Sequence, residues 1–274
     1  MIVKVCNADY SLQWDGIYQF ALENYPQIQE WELEKLAKFI AYEQDHYRQT
    51  IMECEDLELN IQIHDYLQEH SFFPPYRPSH PLVASTYDVQ KKLVTSNYCS
   101  HTCTVEVAQA IFQTGKLMSA VKVFGKSGAE LVTDSRNAAS DPADYFDYIM
   151  FGWSNTTSGY RLAMDRLLGR APSEEELQEK FIPGVSFHFL YEELIQAPGY
   201  MFDGYHVAKV RDSLDLDTFL HLCVIPSKDK VCFEGLIPCQ LQDRVIYLDY
   251  EGEGLQAWNI KVNQVLHSKV KLKE

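Results

Sequence analysis

The chain of 274 residues reads as an α+β protein in two parts, an acidic helical region with a proline-rich linker over residues 1–80 and a strand-containing domain over residues 81–274. Three observations predict this. Apolar residues recur at helical spacing from Ile17 to about Leu67, and four of the eleven prolines fall within the eight positions 74–81. Beyond them, strand-like and helix-like segments follow one another without strict alternation and without a fixed repeat, which disfavours a doubly wound parallel sheet or a solenoid.

In the first part, Trp31, Leu33, Leu36, Phe39 and Ile40 lie between Glu and Gln positions, so residues 17–67 are expected to form several acidic amphipathic helices. The run Phe72-Phe73-Pro74-Pro75-Tyr76-Arg77-Pro78-Ser79-His80-Pro81 continues neither a helix nor a central strand, because proline has no amide hydrogen. A domain boundary is placed there, the alternative being a proline-rich crossing over the surface of one domain. Residues 96–102 then read as a strand. Thr104 can cap a helix with Val105, Ala108, Ile111 and Phe112 on one face, and Gly115 is its left-handed stop. The aromatic and β-branched residues 144–153 read as a buried strand, followed by the polar loop 154–159 and a helix over 160–168. Ser173-Glu174-Glu175-Glu176 fits a capping box, and residues 185–189, 219–225 and 244–249 complete the strand candidates.

Charge and cysteine usage narrow the function classes. Lys plus Arg is 24 against 39 Asp plus Glu, a net of −15, and residues 9–70 hold fourteen acidic and three basic side chains, a net of −11. Such a chain repels nucleic-acid backbone and anionic lipid, so an extensive nucleic-acid footprint is disfavoured, and the acidic region is suited either to docking a basic protein partner or to covering a cleft. No stretch approaches the roughly 18 to 20 apolar residues of a membrane span, and the start of the chain carries no secretory pattern, so no membrane contact and a cytoplasmic location are expected. Seven cysteines without a Cys-x-x-Cys pair fit a reducing compartment. On a strand, Cys99, His101 and Cys103 would share one face. Zinc usually draws its ligands from two separated turns, so buried apolar cysteines are the expected reading.

Ala120-Val121-Lys122-Val123-Phe124-Gly125-Lys126-Ser127 meets only the loosest form of the phosphate-binding loop; its interior reads as strand and Ser127-Gly128-Ala129 as a turn. The chain contains no G-x-G-x-x-G, G-x-S-x-G or H-E-x-x-H. The loop 154–159 leaves a strand and begins a helix, where amides and the dipole can receive a phosphate with Arg161 in the first turn, although any capping loop prefers the same residues.

Asn97-Tyr98-Cys99-Ser100-His101-Thr102, followed by a helix and Ile111-Phe112-Gln113-Thr114-Gly115-Lys116-Leu117, resembles the opening of the ADP-ribosyltransferase superfamily. Tyr148-Ile149-Met150-Phe151-Gly152-Trp153, leading to Arg161, is similar to the second core strand of the DNA-modifying members (DarT type). The resemblance covers residues 83–250. It implies a mixed, mainly antiparallel split sheet with flanking helices, NAD as substrate and transfer of ADP-ribose to an unidentified acceptor. It also implies that His101 grips the NAD ribose, that Thr102 assists through its backbone, and that Tyr148, Phe151 or Tyr160 stacks on nicotinamide. In that family a glutamate on a late strand stabilises the oxocarbenium-like transition state; Glu234 is the candidate, while the strand His221-Leu222-Cys223-Val224-Ile225-Pro226 carries no carboxylate. Either Glu234 acts from an altered register, or the domain is a catalytically inactive binding or regulatory protein of the same fold.

Overall fold

The computed structural model describes residues 2–8, 11–14, 17–45, 49–70, 87–88, 93–94, 98–133, 143–201 and 206–270; the proline-rich run 72–81 and Asn97 lie outside them. The chain forms two compact units, Met1–Pro78 with Phe124–Asp147 and Phe202–Tyr205, and Ser79–Val123 with Tyr148–Met201 and His206–Glu274.

The first unit opens with β1 (Ile2–Cys6), β2 (Leu12–Trp14), β3 (Ile17–Ala21), α1 (Glu30–Asp45), β4 (Ile51–Cys54) and α2 (Leu57–Glu69). The strands form one sheet in the order β2-β3-β1-β4, with β1 parallel to both neighbours. This corrects the expectation of helices throughout residues 17–67. Tyr18 and Phe20 alternate into the core, as do Val3 and Val5, which is the two-residue period of a strand. The α1 stripe is as expected, with Leu33, Leu36 and Phe39 buried, and Leu59 and Ile63 of α2 join the same core. Acidic groups serve the helix starts. Asp56 caps α2 by accepting from the Leu59 amide at 2.8 Å, and buried Glu32 accepts from the amides of Glu23 and Gln29 at 2.9 and 2.8 Å.

Further along the chain come β5 (Tyr87–Asp88), β6 (Leu93–Val94), β7 (Tyr98–Cys103), α3 (Val105–Thr114), β8 (Lys116–Met118), α4 (Ala120–Phe124), α5 (Gly128–Val132, in the first unit) and β9 (Tyr148–Trp153). Then follow α6 (Ser158–Leu168), α7 (Glu174–Gln178), β10 (Val185–Leu190), α8 (Tyr191–Leu194), β11 (Tyr200–Met201), β12 (Ala208–Arg211), β13 (Ser213–Asp215), α9 (Leu216–Phe219), β14 (Leu222–Pro226), β15 (Val245–Leu248) and α10 (Gly254–Val270). The second unit is built on a seven-stranded sheet in the order β11-β12-β9-β7-β10-β14-β15, antiparallel except for the β14/β15 pair. The fold is α+β, with a mixed and mainly antiparallel sheet.

One face of that sheet carries Cys99, Cys103, Phe151, Phe187, Phe189, Cys223 and Ile225 against Ala108, Ile111 and Phe112 of α3. Gly115 ends α3 at φ +68°, a conformation glycine adopts without a Cβ penalty, and Ser173 and Glu176 form the capping box of α7. Two local readings are corrected. Residues 120–124 are the helix α4, and Ser127 is not a turn residue but the cap of α5, joined to Glu130 in a second capping box. Residues 143–147 form a 3-10 helix, so the strand begins only at Tyr148.

Candidate functional site

The sheet divides at His101. β7 pairs with β10 along its whole length, from Tyr98↔Leu190 to Cys103↔Val185, but with β9 only through Cys99↔Trp153 and Ser100↔Gly152. Beyond Ser100 the two strands part, and His101 is the first residue in the fork. Its ring is half-buried, 6.2 Å from Phe151 centroid to centroid, with Nδ1 3.4 Å from the Met150 carbonyl. Burial holds its pKa below the ordinary value, and the Met150 carbonyl offsets part of that. The imidazole is therefore neutral near pH 7. With Nδ1–H donating to Met150, Nε2 is left as an acceptor for a hydroxyl.

The start of α6 closes over the next residue of β7. Gly159 lies so close to Thr102 that a Cβ there would meet Thr102 Oγ1 at 2.8 Å, which accounts for glycine at this position. The polar loop before it is held internally: Thr156 Oγ1 donates to the Trp153 carbonyl at 2.8 Å, and Arg161 Nε donates to Thr157 Oγ1 at 3.4 Å.

Strand alternation distributes the predicted residues over two faces. His101 and Phe151 share the apolar core face, and the structure brings them together. Thr102 and Tyr148 face the other way. Tyr148 is engaged on the β12 side, its hydroxyl 3.3 Å from Met201 Sδ and its ring centroid 4.5 Å from the Lys209 ammonium. Tyr160 is buried below α6 with its hydroxyl 2.8 Å from Ser186 Oγ, so its ring offers no stacking surface. Glu234 is exposed at the end of the 3-10 helix Ser227–Phe233, and its charge acts on Tyr247 of edge strand β15. Two strands, β10 and β14, stand between β15 and the strand of His101, and among the described residues no hydrogen bond or ion pair joins Glu234 to the fork.

The sequence reading missed a buried polar chain on the face opposite the apolar core. Ser154 Oγ lies 2.9 Å from His188 Nδ1, His188 Nε2 lies 2.8 Å from Ser186 Oγ, and Ser186 continues to Tyr160. Asn263 of α10 donates to the Ser154 carbonyl at 2.8 Å. Burial, with nearby His221, lowers the His188 pKa to about 3, so its ring is neutral and both nitrogens are committed. Ser154 and His188 have the spacing of a nucleophile and its base, but both are buried away from any substrate and act as a structural link. The signal was the alternation of Ser186 and His188 with Phe187 and Phe189, which reads as a solvated strand face. It is covered because Leu255, Trp258, Val262 and Leu266 recur at helical spacing and dock α10 there.

A cavity of about 180 Å3 opens at the end of β7, lined by Val105, Leu167 and Ile182 and by the charged Glu106, Lys228 and Asp229. Burial raises the Asp229 pKa, with Lys228 opposing and Glu106 reinforcing the shift. Pockets that enclose drug-sized ligands run from about 300 Å3 upward, so this one accommodates a fragment the size of a single ring rather than a whole dinucleotide. The thiols of Cys99 and Cys103 are pushed far above their ordinary value by burial, which leaves them protonated beside His101 and poor as nucleophiles or ligands.

No known protein family, characterised protein or solved structure matches this chain. Among the described residues, no helix is long and apolar enough to cross a membrane.

Proposed function

We propose that the second unit is an NAD-dependent ADP-ribosyltransferase-like domain that binds NAD at the fork between β7 and β9 and passes ADP-ribose to an acceptor. The observation that carries the reading is the divided sheet with a neutral histidine at its fork. The two strands part beside His101, and its Nε2 is suited to accept a hydrogen bond from a ribose hydroxyl brought into that gap. Phe151 packs beside it at 4% exposure as part of the buried apolar lining and offers no open stacking face. Tyr148 and Tyr160 take no part in this version of the site, because each is held elsewhere, and Glu234 is exposed with no contact to the fork.

The position of Glu234 favours a second reading, a binding or regulatory domain of the same architecture that does not transfer ADP-ribose. Breaking the bond between ribose and nicotinamide develops positive charge that a carboxylate would stabilise, and no hydrogen bond or ion pair fixes exposed Glu234 for that task. A thermal-unfolding titration with NAD, run beside His101→Ala, is paired with an assay for released nicotinamide. NAD at about a hundred times its Kd stabilises by about 2.7 kcal/mol, and the shift should vanish in the variant. Stabilisation with nicotinamide release supports the transferase. Stabilisation without release supports the second reading, and no shift at millimolar NAD removes NAD from both.

A further inference from the structure

The cavity of about 180 Å3 lies at one end of the seven-stranded sheet, where three strands and two helices bring their ends together. Cys103 closes β7 opposite Val185 of β10, and β14 runs antiparallel to β10 with Val224 opposite Ser186. The chain leaving β7, entering β10 and leaving β14 therefore meets at the same place. β9 and the fork are on the other side of β7. The walls are the first turn of α3 with Val105 and Glu106, Leu167 of α6, Ile182 before β10, and Lys228 and Asp229 after β14. Leu167 and Ile182 are 48% and 38% exposed, so apolar surface stands open at this site. Glu106 and Asp229 have no hydrogen bond or ion pair among the described residues. Asp229 is partly dehydrated and repelled by the charge of Glu106, with Lys228 the opposing cation, and a bound positive charge would relieve that arrangement.

We propose that this cavity binds a small monocationic amine built on a single ring, with the ring against Val105, Leu167 and Ile182 and the ammonium donating to Glu106 and Asp229. Charge-assisted hydrogen bonds fix the ammonium end, and the apolar wall takes the ring out of water. An anion is disfavoured as the occupant, because two carboxylates outnumber exposed Lys228 and the whole chain carries a net charge of −15. A neutral ring would leave both carboxylates without a donor, and a larger ligand would exceed the cavity.

The test titrates the full chain with benzylamine, benzyl alcohol and benzoate, which share a ring and differ in charge, and with butylamine, which keeps the charge and lacks the ring. Backbone amide NMR shifts report binding and its place. Benzylamine should bind at least tenfold more tightly than benzyl alcohol or benzoate and more tightly than butylamine, with shifts centred on Val105, Glu106, Gly184 and Asp229. Glu106→Gln with Asp229→Asn should weaken benzylamine tenfold or more and leave benzyl alcohol within twofold, whereas Leu167→Ser with Ile182→Ser should weaken both. Glu106, Leu167 and Ile182 are exposed and Asp229 is half-buried, and an unchanged circular dichroism melt verifies folding. No saturable shift with benzylamine, equal binding of the amine and the alcohol, unchanged affinity in either double variant, or shifts confined to other residues would overturn the proposal. So would a preference for benzoate, since that would make Lys228 and the start of α3 an anion site, or a preference for butylamine, which would remove the ring.

Discussion

Replacing His188 with alanine measures how much the buried polar chain contributes to the second unit. The ring is 1% exposed and reaches Ser154 Oγ at 2.9 Å and Ser186 Oγ at 2.8 Å. Ser186 retains Tyr160 as a partner, so that side loses about 1 kcal/mol, whereas the Ser154 hydroxyl is stranded at about 1–3 kcal/mol. Deleting the imidazole also leaves a void of roughly 60 Å3, which costs about 1–2 kcal/mol at ~24 cal/mol per Å3. The sum is about 3–6 kcal/mol, a fall in calorimetric midpoint of roughly 6–20 °C for a unit of this size. Adding Ser154→Ala removes the stranded hydroxyl, so the double variant should be less destabilised than the sum of the singles by about 1–2 kcal/mol. A fall of less than ~3 °C, or strict additivity, would refute the assignment of the chain as a structural link.

The same histidine sets a pH dependence. With a folded pKa of about 3 against roughly 6.5 when unfolded, the unfolded chain binds the extra proton between these values, so stability rises with pH across that window. Acidification from pH 7 to 4 should remove about 3 kcal/mol through His188 alone, and denaturant titrations should show a shallower dependence in His188→Ala; an unchanged slope would contradict the buried neutral ring. Gly184→Ala should be severely destabilising, because its Cβ would meet the Cys103 carbonyl oxygen at 2.6 Å, where only backbone can give way; a melt within ~2 °C of the parent would show that β10 can shift. Glu234→Gln should leave stability within about 0.5 kcal/mol and any nicotinamide release unchanged, and loss of release with NAD binding intact would return Glu234 to the site. In the native protein, iodoacetamide should label exposed Cys232 and Cys239 and spare buried Cys99, Cys103 and Cys223; mass spectrometry showing early labelling at Cys99 or Cys103 would mean that the fork opens.

Local chemistry carried much of the second unit. Thr104 to Gly115 has a helix's apolar spacing and a glycine stop, and Ser173 with Glu176 has the spacing of a capping box, so both were legible from neighbours a few residues apart. The acidic region misled because glutamates on helix surfaces dominate its composition, while its strands are three to five residues long and show only as Tyr18 alternating with Phe20 or Val3 with Val5. The α+β class, the strand holding His101 and the strand holding Phe151 thus follow from patterns within single segments. Which side chains meet does not, because a side chain's face depends on strand register and on what covers it. Only the tertiary structure parts β7 from β9 at His101, turns Tyr148 and Tyr160 away, leaves Glu234 exposed after the 3-10 helix Ser227–Phe233, and lays α10 over Ser186 and His188. Those outcomes depend on contacts between segments tens to more than a hundred residues apart, which no local spacing encodes.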